Sequence, residues 1–165
     1  ETKAETMIER ARELTDWVPE ARVKLPIIEE GLKAAEVLCK EMRLNMTLGF
    51  SQAQAAAVYS ATVGSKYPVF HSAFVGRLTD RGENGIHNVA NVVKMLEGSD
   101  PAFAQGSGGQ GGHVLVLAAS FRDAEQVQAA LQEVQQRQEQ QQEQEAPQQQ
   151  AVLAPCPAWQ DLLAL

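Results

Sequence analysis

Between Met7 and Leu131 the apolar positions switch repeatedly between helical and extended spacing. Met7, Ile8, Ala11 and Leu14 fall on one helical face after Thr2-Lys3-Ala4-Glu5, a capping-box pattern, and this predicts a helix ending near Asp16. Ala21 to Pro26 is a short extended run closed by proline. Ile28, Leu32, Ala35, Leu38, Cys39 and Met42 then return to helical spacing. Asn45 to Gly49 predicts a second strand. Ser51-Gln52-Ala53-Gln54 opens an alanine-rich helix to about Val63. Pro68 to Ser72 predicts a third strand, followed by a loop from Ala73 to Asn84 and a helix carrying Ile86, Val89, Val93 and Leu96. Val114 to Ala118 is the clearest strand, and Asp123 is placed to cap the helix after it. Strand and helix alternate with short connections, which predicts an α/β fold built on a parallel sheet. Four or five such units do not close an eight-stranded barrel. The pattern leaves open whether the sheet is a barrel segment or a doubly wound sheet.

The polar residues of these strands carry the candidate chemistry. Lys24 lies between Val23 and Leu25, and Lys24, Thr47 and Ser72 recur at intervals of 23 and 25 residues. A lysine shielded by apolar neighbours suits nucleophilic addition to a carbonyl. Equally, an edge-strand lysine can simply reach out to water. Asn45, Thr47, Ser72, Arg77, Ser120 and Arg122 are all expected near strand ends on one rim. Singly, each reads as a cap, a packed hydroxyl or a solvated charge. Together, an amine, small hydroxyl and amide groups and two guanidinium groups suit a carbonyl substrate bearing a phosphate.

Composition narrows the class. The 165 residues are 44% hydrophobic and 21% charged, as in one globular domain, and the net charge of −7 argues against nucleic-acid binding. No apolar run approaches the ~18–20 residues that span a membrane. Cys39 and Cys156 are far apart and are expected to be free thiols. His71, His87 and His113 lack metal-ligand spacing and are expected at the surface or behind the site, so neither a metal nor a cofactor is expected. Two stretches depart from the βα pattern. Residues 105–112 form a glycine-rich insertion that precedes a strand, whereas a phosphate-cradling loop follows one. Residues 132–150 are Gln/Glu-rich and are expected to extend a helix before losing order, with Ala151 to Pro155 as a last strand and Trp159 to Leu165 as a helical end. The domain limits expected are therefore 1–131, 132–150 and 151–165. The first residue is Glu1, which reads as a fragment or a processed product.

Three motifs follow in order along the chain: Asn45-Met46-Thr47-Leu48-Gly49-Phe50-Ser51 with Gln54-Ala55, Ser72-Ala73-Phe74-Val75-Gly76-Arg77, and Ala119-Ser120-Phe121-Arg122. Together they resemble those of the transaldolase family. Lys24-Leu25 followed by Glu30-Gly31 is similar to the family's lysine strand. The resemblance runs from about Thr2 to Leu131. It implies a partial TIM (β/α)8 barrel of about strands four to eight, and transfer of a dihydroxyacetone unit between sugar phosphates in the pentose phosphate pathway, with no cofactor. It implies that Lys24 forms the Schiff base and Thr47 holds the water of iminium formation. Asn45, Ser72 and Phe74 would contact the substrate, and Arg77, Ser120 and Arg122 the phosphate. Phe74 stands where related fructose-6-phosphate aldolases tend to carry tyrosine, which favours the transferase branch. The family's acid/base aspartate, and an asparagine and a glutamate, belong to strands before this stretch, so the chain alone is expected to be inactive. Ala73 replaces the family's usual proline. A truncated, non-catalytic barrel piece and an aldolase-type enzyme are the alternatives. Sugar phosphates are the expected partners, with a homodimer covering the open strands, in the cytoplasm or a plastid.

Overall fold

A computed structural model describes residues 3–99 and 112–153. The chain divides into two compact units, residues 1–127 and 128–165. The first unit contains α1 (Ala4–Trp17), β1 (Arg22–Pro26), α2 (Glu29–Leu38), β2 (Arg43–Gly49), α3 (Gln52–Ala61), β3 (Val69–Phe74), α4 (Val75–Asp80), α5 (Gly85–Ser99) and β4 (Val114–Ala119). The second consists, in its described residues, of most of α6 (Ala124–Leu153).

The four strands pair in the order β1-β2-β3-β4, all parallel. This order separates the two architectures left open above. A doubly wound sheet reverses its strand order at a switch point, and this sheet steps always in one direction. Crossovers of one hand stepping in one direction put every helix on the same face, as in a segment of a (β/α) barrel. The core agrees. Val23, Leu25, Leu44, Met46, Val69 and Val114 of the strands pack with Ala34, Ala35, Leu38, Ala55, Val58, Val92 and Leu96 of the helices. Complete burial of a leucine such as Leu38 or Leu44 contributes about 1.5–3 kcal/mol.

Strand alternation sends the intervening residues to the other face, where Arg22, Arg43, Asn45, Phe70 and Leu115 are half-buried and Lys24 and Leu117 exposed. This second face carries the candidate chemistry.

Local sequence explains most element boundaries. Ser51 is the N-cap of α3, and its hydroxyl accepts from the Gln54 N–H at 3.2 Å. Asp123 does the same for α6 through the Gln126 N–H at 2.8 Å. The first helix differs from the capping-box expectation: its N-cap is Lys3, and the Ala4 N–H donates to Glu30 Oε2 of α2 at 2.9 Å. That helix ends at Trp17, and Leu14 is 57% exposed rather than part of the core. At Gly31 a Cβ would lie 2.0 Å from the Pro26 carbonyl oxygen, so α2 can cross the end of β1 only because this residue is glycine. Gly31→Ala is expected to cost roughly 1–3 kcal/mol through overpacking. Denaturant unfolding measures this, and an unchanged midpoint would show that α2 has room to move.

Three further expectations are corrected. The stretch expected as a loop from Ala73 contains the rest of β3 and the six-residue α4, whose Val75, Gly76 and Leu78 are buried. The Gln/Glu-rich run stays helical, because glutamine, glutamate and alanine favour helix. That same helix extends to Leu153, so residues 151–153 are helical where a strand was expected. The remainder of the expected last strand and terminal helix, Cys156, and the glycine-rich insertion apart from Gly112 lie outside the described residues. No helix among the described residues is long and apolar enough to cross a membrane. No cluster of three His, Cys, Asp or Glu side chains suited to a metal occurs among them. Cys39 is free and buried, and burial pushes its thiol pKa up.

Candidate active site

The open face presents its polar residues in rows set by strand register. Lys24 of β1 is the lateral partner of Asn45 of β2, and Asn45 that of Phe70 of β3. Lateral neighbours in a sheet are about 4.8 Å apart. Thr47 lies in the next row toward the carboxyl ends, opposite Pro26 of β1. Ser72 of β3 sits diagonally to Asn45 and donates from Oγ to Asn45 Oδ1 at 2.7 Å. The structure thus brings Lys24, Asn45, Thr47 and Ser72 onto one patch. Lys24 and Asn45 lie in mid-strand rather than at the rim. Val23 and Leu25, expected to shield Lys24, face the helices instead, and Lys24 is exposed.

Thr47 is buried, and its Oγ1 has no hydrogen-bond partner. A buried hydroxyl without a partner is costly and is a binding point for a water or a substrate oxygen. Immediately after it, Leu48 adopts φ 67°, and the β2–β3 register shifts between Met46 and Gly49. The left-handed residue marks a bulge that re-aims the end of β2. Gly49 is required there, since a Cβ would come 2.7 Å from the His71 ring and 2.8 Å from the Ser72 carbonyl oxygen.

A second group forms where β3 runs into α4 and β4 ends. The Gly76 N–H donates to the Ser120 carbonyl at 3.1 Å, and a Cβ at Gly76 would meet that oxygen at 2.1 Å. Ser120 has φ 65°, a second left-handed residue at the end of a strand. This join brings Arg77 of α4 and Arg122 to the same corner. Arg122 donates from Nη1 to Ser120 Oγ at 3.3 Å and from Nε to both Asp80 carboxylate oxygens at 3.2 and 3.1 Å, with Nη2 also on Oδ2. Hydrogen bonding to Arg122, with the charges of Arg122 and Arg77, holds the Asp80 pKa below its usual value. The Arg77 guanidinium lies 5.2 Å from the Phe74 ring centroid, and Phe74 meets Phe50 edge-on at 5.6 Å.

Three side chains near the site have roles that the motif reading does not give. Asp80 holds Arg122 across 42 residues of sequence, and nothing local announces it. Gln54, which stands in the first motif but is given no role there beyond opening α3, bridges the loops after β1 and β2. Its Oε1 accepts from the Phe50 N–H at 2.8 Å, and Nε2 donates to the carbonyls of Leu48 at 3.2 Å and Ile27 at 3.4 Å. His71 is fully buried rather than superficial, because it shares the helix-facing row with Val69 and Ala73. Neither ring nitrogen has a partner, and burial lowers its pKa to about 4. His113 donates from Nε2 to the Tyr59 carbonyl at 3.0 Å, and His87 is exposed.

Comparison with known proteins adds a match to the transaldolase/fructose-6-phosphate aldolase family over residues 1–136. The chain belongs to this family. Similar curated proteins include a "probable transaldolase" of Caldicellulosiruptor saccharolyticus, 46% identical over 95 residues, which is 57% of this chain and 42% of that one. Another, from Lactiplantibacillus plantarum, is 38% identical over 130 residues, 78% of this chain and 52% of that one. A third, from Rhodospirillum centenum, is 37% identical over 127 residues, 76% of this chain and 48% of that one. The chain spans about half the length of the curated relatives it matches. Its parallel α/β sheet is a partial barrel of the transaldolase type.

Proposed function

We propose that this chain supplies the lysine-bearing and phosphate-binding part of a transaldolase, which moves a dihydroxyacetone unit between sugar phosphates of the pentose phosphate pathway. The observation that carries the reading is the Lys24–Asn45 row, with Asn45 held by Ser72 and the partnerless Thr47 hydroxyl one row away. The Lys24 amine adds to the keto carbon of a ketose phosphate, and loss of water leaves an iminium. The bond between the third and fourth carbons breaks, its electrons pass into the iminium to give an enamine, and the shortened aldose phosphate leaves as an aldehyde. The hydroxyl proton released in that cleavage goes to an acid/base carboxylate contributed by the other strands of the barrel. The enamine then adds to an acceptor aldehyde, and water frees the product from Lys24.

Each neighbour has a role in this scheme. Thr47 Oγ1 holds the water gained and lost at the iminium. Asn45 and Ser72 hydrogen-bond the dihydroxyacetone hydroxyls, Ser72 orienting the Asn45 amide so that its NH₂ group faces substrate. Phe74 packs beside the substrate and positions Arg77 through its ring. Arg77, Ser120 and Arg122 bind the phosphate, with Arg122 preset by Asp80. Guanidinium groups match phosphate by paired hydrogen bonds.

Arg77→Ala and Arg122→Ala are each expected to raise the apparent KM for phosphorylated substrates on the order of tenfold, with a smaller change in kcat. Unphosphorylated dihydroxyacetone donors should be much less affected. Steady-state kinetics on the closed barrel, this chain together with the strands that complete it, measures both. Equal losses for both kinds of substrate would make the arginines structural. Including and omitting erythrose 4-phosphate tests the reaction class: transfer requires the acceptor, and release of free dihydroxyacetone without it would place the chain on the aldolase branch.

A further inference from the structure

The residue after Thr47 is held by a side chain that belongs to none of the strands of the candidate site. Leu48 is left-handed, at φ 67°, and the ladder from β2 to β3 is interrupted there, since the register shifts between Met46 and Gly49. A leucine in this conformation is strained and persists only where its surroundings hold it. On the β1 side the Ile27 N–H donates to the Thr47 carbonyl at 2.9 Å. Gln54 of α3 adds a second tie: its Nε2 donates to the Leu48 carbonyl at 3.2 Å and to the Ile27 carbonyl at 3.4 Å. One amide group thus joins the residue after Thr47 to the segment that leaves β1, just beyond Lys24.

Capping the helix does not by itself require an amide at this place. Gln54 lies in the first turn of α3, where glutamate or glutamine can equally accept from a backbone N–H that precedes the helix. Oε1 does so, from the Phe50 N–H at 2.8 Å. Only an amide can also donate to the two carbonyls, because a carboxylate would set acceptor against acceptor. Glutamine here therefore serves the ends of β1 and β2 as well as the helix. We propose that Gln54 is a positioning residue for the reaction: by holding Leu48 against the end of β1, it fixes the buried, partnerless Thr47 hydroxyl relative to Lys24. The inference rests on the water-holding role given to Thr47 above. Misplacing such a group by about 1 Å can slow a reaction about a hundredfold. Oε1 has a separate dependant in Phe50, whose ring meets Phe74 beside Arg77. Glutamate in place of Gln54 keeps the bond to Phe50 and removes the two to the carbonyls.

The test reads the water step directly in the closed barrel. Imine formation expels the keto oxygen of fructose 6-phosphate as water, and hydrolysis returns an oxygen from solvent. Loss of ¹⁸O from the labelled keto group, above the rate without enzyme, therefore counts this step. Gln54→Glu is expected to slow it by about tenfold or more per folded protein, with the KM for fructose 6-phosphate within about threefold. Gln54→Met keeps the length, loses both polar groups, and should slow exchange as much while also raising KM. Denaturant unfolding counts the folded protein, so a change in stability does not pass as a change in rate. Thr47→Val, measured alongside, tests the role on which the inference rests. Slow exchange in Thr47→Val with normal exchange in both Gln54 variants would overturn the positioning role and leave that of Thr47 standing. Normal exchange in Thr47→Val would overturn both.

Discussion

Lys24→Arg is expected to lower dihydroxyacetone transfer by about 10⁴-fold or more in the closed barrel, with little change in stability. The two parts of this expectation have separate causes. A guanidinium stays protonated and offers no lone pair to a carbonyl, so the covalent step is lost outright. Yet Lys24 is exposed on its strand, in no ion pair among the described residues, and contributes nothing to the packed core between sheet and helices, so its replacement leaves Val23 and Leu25 in place. Turnover assays paired with denaturant unfolding separate these effects. Retained transfer in Lys24→Arg would remove the lysine from the mechanism, and joint loss of transfer and stability would make it structural.

The second large effect concerns His71 and is one of stability. Its pKa in the folded chain is about 4, against 6.5 for the free side chain, because the buried ring would have to carry a charge without a partner. Below pH 6.5 the unfolded chain therefore binds a proton that the folded chain refuses. Stability is full above that value and falls as pH drops, until the folded ring also protonates near pH 4. A gap of two to three units corresponds to a loss on the order of 3 kcal/mol. Glu30, Glu41 and Asp80, held low by Lys33, Arg12 and Arg122 respectively, destabilise in the same direction, but only as the pH enters the ordinary carboxylate range. The interval from 6.5 to about 5.5 therefore isolates the histidine. Urea unfolding at a series of pH values should show the slope, and His71→Leu should flatten it. An equal slope in the variant would contradict the assignment.

The pattern of apolar positions was enough to find all four described strands and most helices, because strand and helix periods differ and each unit is short. It was not enough to decide which side chains are buried. Reading Val23 and Leu25 as shields for Lys24 treated neighbours in sequence as neighbours in space, whereas alternation sends them to opposite faces. The same alternation, applied to Val69, His71 and Ala73, would have placed the histidine in the core. Helix α4 has only six residues, too few for a periodic signal. The Asp80–Arg122 pair joins residues on α4 and after β4, a contact that exists only once the sheet has formed. The left-handed conformations of Leu48 and Ser120 carry no residue signature, since neither is glycine or asparagine. The motifs themselves were legible because Asn45, Thr47 and Ser72 stand on strands whose register is fixed by the buried residues between them.

The most direct test of the account is to find which amine holds the substrate. The closed barrel is incubated with fructose 6-phosphate, reduced with borohydride, digested and analysed by mass spectrometry. A three-carbon adduct on the peptide containing Lys24 is the predicted result, and it should be absent from Lys24→Arg. An adduct at Lys33, Lys40 or Lys66 instead, with Lys24 unmodified, would contradict the assignment of this chain's lysine strand.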